Sequence, residues 1–187
     1  MKLKMDYLFC LITALIVFVF YLHTVNYPWK YFDEQIIYNE TILPIPLSFS
    51  QIFEYISYFG LNNYFEASNP FYSSISNLRC DPINNLITLF VYFFFQKNAW
   101  AYHLLSLSLH VLNTGLLFLT LRKVSLGHKS ETFHETSLQK LFTISILTLL
   151  WALHPVNVES ILFTSNWSAI LTYSLCIFLL YYSVIYM

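Results

Sequence analysis

From residue 7 to residue 22 the chain runs without one charged side chain, directly after a short basic start holding Lys2 and Lys4. Residues 100–121 repeat the pattern with only His103 and His110 as titratable groups, and residues 141–153 and 161–187 are uncharged throughout. A bilayer leaves no water to bond the backbone, so apolar runs of this kind are confined to helices, and about twenty residues are needed to cross. Composition agrees. Only 10% of the 187 residues are charged, 57% are hydrophobic and the mean hydropathy is +0.57, whereas a soluble domain carries roughly 25% charged residues. The 18 Phe and 15 Tyr suit a lipid-facing surface with aromatic belts. A net charge of -1 gives no reason to expect a nucleic-acid partner.

The first run resembles a signal peptide, but no small-x-small cleavage site follows and the run is long for one. We read it as an uncleaved span with its basic end in the cytoplasm. Residues 26–79 form the main polar segment, with Pro28, Pro44, Pro46 and Pro70. Within it, residues 50–59 place apolar side chains at helical spacing, which predicts a short interfacial helix capped by Ser48 or Ser50. Residues 86–95 are apolar but too few to cross, so a dipping helix is expected there. Charge supports that choice. If 86–95 does not cross, Arg122, Lys123, Lys129 and Lys140 share the cytoplasmic side with Lys2 and Lys4; if it does, the positive-inside rule is broken.

The expectation is therefore an all-α integral membrane protein of one domain, residues 1–187. About four transmembrane helices are predicted, near 7–25, 100–121, 141–154 and 160–187, with interfacial or dipping helices in the first exoplasmic loop, 26–99. Both termini are then cytoplasmic, and 154–168 faces outward with the loop. The chain stops at Ile185-Tyr186-Met187 inside an apolar run, which we read as the N-terminal part of a longer protein.

Chemistry has few candidate carriers. Asp33-Glu34 follows the first span closely; adjacent carboxylates near a membrane can hold a divalent cation or supply a general base, or form a plain solvated turn. His154 and Glu159 stand five apart at a membrane corner, where they could meet a phosphate or simply cap a proline-terminated helix. His103 and His110, seven apart with Asn113 nearby, share a helical face; interhelical hydrogen bonding and ligand binding explain them equally well. Arg79 and Asp81 flank Cys80, and Arg79 is one of few outward cations available to an anionic lipid, or to an ordinary ion pair. Asn39-Glu40-Thr41 and Asn166-Trp167-Ser168 match the glycosylation triplet. Cys10, Cys80 and Cys176 fit neither a disulfide frame nor a zinc spacing. With three glycines there is no phosphate-cradling loop, and no metal-ligand pattern appears.

Three motifs in register resemble the membrane half of the GT-C glycosyltransferases, in particular the transmembrane O-mannosyltransferase-like proteins with tetratricopeptide repeats. They are the corner Leu150-Trp151-Ala152-Leu153-His154-Pro155-Val156-Asn157-Val158-Glu159-Ser160, the span segment Tyr102-His103 to His110 and Asn113, and Phe32-Asp33-Glu34 with Asn39 after the first span. The resemblance implies transfer of a sugar, mannose by family, from a polyprenyl-phosphate carrier to a protein hydroxyl on the exoplasmic face. That membrane is the endoplasmic reticulum in a eukaryote and the inner membrane in a bacterium. By the same resemblance Asp33 is the general base, Glu34 supports it or binds a divalent cation, and His154, Glu159, Arg79 and His103 lie near the substrate and the lipid phosphate. The chain departs from the pattern where Asp81-Pro82 stands for an Arg-Pro, and where Trp167 and Ala169 replace an Arg and an acidic residue. A non-catalytic membrane module acting as a scaffold or assembly partner is the alternative. A transporter fits less well, because the carboxylates lie in loops rather than at mid-span.

Overall fold

The computed structural model describes residues 2–28, 82–96, 98–127, 137–162 and 167–186. These residues are almost entirely helical, with no strand among them. In chain order they form α1 (Lys2–Tyr21), a 3-10 turn (Leu22–Asn26), α2 (Pro82–Phe95), α3 (Ala99–Gly127), α4 (Ser137–Ala152), α5 (Pro155–Leu162) and α6 (Trp167–Tyr186). The interfacial helix expected at 50–59 lies outside the described residues.

Two helices are long and apolar enough to cross a membrane, over Met5–Asn26 and Ala99–Ser125. Shorter apolar stretches, Leu138–Ala152 and Ile170–Ser183, run through α4 and α6. The 14 residues of α2 extend about 21 Å at 1.5 Å per residue, short of a hydrocarbon core of about 30 Å.

Local sequence sets the helix ends. No Pro or Gly interrupts residues 2–27, so α1 propagates until Pro28 forces the residue before it out of helical geometry. Tyr27 accordingly sits at φ -71°, ψ 135°. The last carbonyls of this segment are taken up locally: Thr24 Oγ1 donates to Tyr21 O at 2.7 Å and Tyr27 N to Thr24 O at 3.1 Å. Between α2 and α3 the backbone turns at Gln96, whose φ of 52° is left-handed, a conformation that costs a non-glycine residue roughly 1 kcal/mol. Tyr102 Oη donates to the Gln96 carbonyl at 2.9 Å and steadies it. Asn98 then starts α3, its Oδ1 accepting from Trp100 N at 3.3 Å as an N-cap side chain does.

The bundle is built around α3, which packs against α1, α4, α5 and α6, while α2 lies against α6 and α3. Two apolar clusters mark its ends. Val17, Tyr21 and Val25 of the first segment meet Leu107, Ala152 and Ile161 at one end; Phe118, Leu141 and Ile144 meet Met5, Phe9 and Cys10 at the other. Hence α1 and α4 run alongside each other and antiparallel to α3. Arg122 Nε donates to Asp6 Oδ1 at 3.1 Å, tying the start of α1 to the end of α3. Lys2, Lys4, Arg122, Lys123 and Lys140 thus stand on helix segments at one end of the bundle.

The distribution of polarity is the reverse of a soluble bundle. Thr13, Ser106, Thr114, Thr120, Ser145 and Thr148 are buried, together with His103, His110 and Asn113, whereas Leu11, Leu15, Phe94, Phe142, Leu150 and Leu179 are exposed. All six hydroxyls donate to the carbonyl four residues back in their own helix. They are self-satisfied and small, so they let the helices approach closely. Gly115 serves the same end, with the Cys10 Sγ of α1 3.7 Å from its carbonyl.

Candidate functional site

The corner between α4 and α5 is where the chain concentrates polar contacts. Pro155 has no N–H, so the carbonyl of Trp151, four residues earlier, loses its helical donor. Two groups replace it: His154 N at 3.2 Å and the side-chain amide of Asn157. The next carbonyl, Ala152 O, is served by two other elements. His110 Nε2 of α3 lies 3.0 Å from it and Tyr21 Oη, from the end of α1, lies 3.3 Å away. The His110 ring stacks on Trp151 with centroids 5.7 Å apart at 23°, and Tyr21 meets His110 edge-on at 5.7 Å. Four segments thereby fix one corner.

His154 projects from this corner into an exposed position. Its Nδ1 accepts from Val156 N at 3.3 Å. A neutral imidazole that accepts at Nδ1 carries its proton on Nε2, so the ring presents an N–H donor outward. Beside it opens a cavity of about 430 Å³, lined by Trp151, His154 and Asn157 of the corner, Leu117 of α3, and Tyr173 and Cys176 of α6, among others. That size falls within the range of roughly 300–1,000 Å³ typical of small-ligand sites. The cleft is apolar along its walls and polar at the corner.

The remaining candidates are placed as follows. Glu159 is exposed on α5 and does not line the cleft. His103 is 2% exposed in the first turns of α3, with its ring directed at the main chain of Tyr27, where the chain leaves the bundle. It also stands apart from the cleft. Asp33, Glu34 and Arg79 lie outside the described residues. Among the described residues no group of three or more His, Cys, Asp or Glu could hold a metal ion.

Of the two readings open for His110 and Asn113, the geometry selects interhelical bonding. His110 anchors the corner, while Asn113 Nδ2 donates to Ile170 O at 3.0 Å and its Oδ1 accepts from Ser174 Oγ, sealing α3 against α6. Sequence reasoning missed Tyr21, Trp151 and the α6 wall of the cleft. Trp151 sits within the corner motif and was within reach of that reasoning; nothing local marks Tyr173 or Cys176. Comparison with family models, with curated proteins and with solved structures gave no match for this chain.

Proposed function

We propose that the chain is the membrane part of a GT-C-like glycosyltransferase that moves a sugar, mannose by family, from a polyprenyl-phosphate carrier to an exoplasmic protein hydroxyl. In this reading four helices cross the bilayer, near 7–25, 100–121, 141–154 and 160–187, and both termini are cytoplasmic. The observation that carries it is the corner cleft. An apolar slot with an outward imidazole N–H at its polar end suits a hydrocarbon chain joined to a phosphate.

The chemistry assigns each residue one task. Asp33 takes the proton of the acceptor hydroxyl, whose oxygen forms the new bond to the anomeric carbon. The bond from that carbon to the phosphate oxygen breaks, and its electron pair leaves with the polyprenyl phosphate. Charge grows on the leaving phosphate, so donors fixed beside it stabilise the transition state more than the ground state. His154 and Arg79 supply them. Glu34 supports Asp33 or holds a divalent cation; Glu159 and His103 lie outside the cleft, and the resemblance alone assigns them to the substrate. Asp33 follows Pro28 by five residues, a tether of at most about 18 Å, and Pro28 leaves the bundle at the end where the corner lies.

The test is transfer from a polyprenyl-phosphate sugar by membranes expressing the full-length parent gene, with Asp33→Asn and His154→Ala alongside. Transfer abolished by Asp33→Asn supports the assignment. Transfer indifferent to Asp33→Asn removes Asp33 as the base, and no transfer with any donor from a folded chain favours the non-catalytic membrane module.

A further inference from the structure

The two ends of the bundle differ in sign. The end joined by the Asp6–Arg122 pair holds Lys2 and Lys4 in the first turn of α1, Lys123 near the end of α3, and Lys140 in the first turn of α4. Among the described residues this end holds Lys2, Lys4, Arg122, Lys123 and Lys140 against one acid, Asp6. Asp6 is engaged by Arg122, with both side chains largely buried, at 18% and 10% exposed. The pair cancels itself and leaves the lysines uncompensated by any other acid among the described residues at this end. Lys123 is exposed and Lys140 half-buried. The same helix ends expose apolar side chains: Val124 of α3, Leu138 and Phe142 of α4, and Tyr7 and Leu8 of α1.

We infer that this surface binds an anionic phospholipid, the headgroup phosphate held by Lys123 and Lys140 and the acyl chains lying on the exposed face of α4 and α1. Charge complementarity selects the ligand: cations at a membrane-proximal helix end attract acidic headgroups, each basic residue contributing to the attraction. The neighbouring apolar face requires hydrocarbon rather than a soluble anion. The site lies at the opposite end of the bundle from the corner cleft. It rests on the membrane embedding proposed above and not on sugar transfer.

The experiment uses the full chain purified in mild detergent and incubated with equal phosphatidylglycerol and phosphatidylcholine, with retained lipid counted by native mass spectrometry. The expected result is preferential retention of phosphatidylglycerol, weakened on the order of tenfold by Lys123→Gln with Lys140→Gln. Lys123→Arg with Lys140→Arg should keep it, and Glu159→Gln at the far end should leave it unchanged. Should the glutamine pair fail to fold, the preference of the unaltered chain must fall as salt is raised. Equal retention of the two lipids, a preference indifferent to the lysines, or one indifferent to salt overturns the inference. Retention of no lipid at all overturns it as well, whereas loss of sugar transfer leaves it untouched.

Discussion

Replacing His110 by Phe isolates one hydrogen bond at the corner. Phe preserves the flat ring stacked on Trp151 and its edge contact with Tyr21, so packing changes little; what disappears is the 3.0 Å contact with the Ala152 carbonyl. Tyr21 Oη remains at 3.3 Å as a weaker donor. Leaving a buried acceptor unpaired costs about 1–3 kcal/mol in water-soluble proteins, while hydrogen bonds between membrane helices average about 0.6 kcal/mol. With Tyr21 still in place, His110→Phe should therefore cost about 1 kcal/mol and Tyr21→Phe about half that. The double variant is the decisive one. Ala152 is fully buried, and its carbonyl then loses both side-chain donors, so the cost should exceed the sum of the single variants by roughly 1 kcal/mol. Equilibrium unfolding in detergent micelles, followed by far-ultraviolet circular dichroism against denaturant, reads all three. Strict additivity, or a neutral His110→Phe, would refute the view that the two side chains share one carbonyl.

Asn113→Leu should destabilise the chain by about 1–2 kcal/mol in the same assay, since it removes the bonds to both Ile170 and Ser174, and Ser174→Ala should cost less because Asn113 keeps Ile170. Asp6→Ala should destabilise by leaving Arg122 charged and largely buried, and the double change with Arg122→Met should restore most of the loss, read as a thermal midpoint. Gly115→Ala should be neutral or slightly stabilising, because the added methyl would meet Cys10 Sγ at an ordinary 3.8 Å while helix propensity improves; a marked fall in midpoint would show that the crossing of α1 and α3 is tighter than described.

Long uncharged runs located α1 and α3 well, because an apolar stretch of that length satisfies its backbone most simply as a helix. The ends were less legible. The span expected near 100–121 lies inside α3, which continues to Gly127; Asp6 takes up Arg122, and that partner lies 116 residues away in sequence. The opposite shift occurs in α4, which begins at Ser137 rather than near 141, because polar first-turn residues extend a helix beyond its apolar part. Pro155 did announce the corner. What it could not announce is the acceptor of His110, since the need arises from a missing N–H in one segment and is met from another. His154 stands beside a cleft, but that cleft's far wall belongs to α6, whose residues carry no local signal of the role.

The hydroxyls that bond within their own helices bear on how the protein is made. In each such helix those groups are satisfied before any neighbour packs, so Thr13 of α1 and Ser106, Thr114 and Thr120 of α3 need no partner helix for their hydroxyls. Asn113, His110 and Arg122 are different, for their partners belong to other helices. Until α6 packs against α3, the side-chain amide of Asn113 lacks the Ile170 carbonyl as its acceptor. Helix formation and helix assembly are thus divided between two sets of side chains, the second satisfied only once the helices have come together.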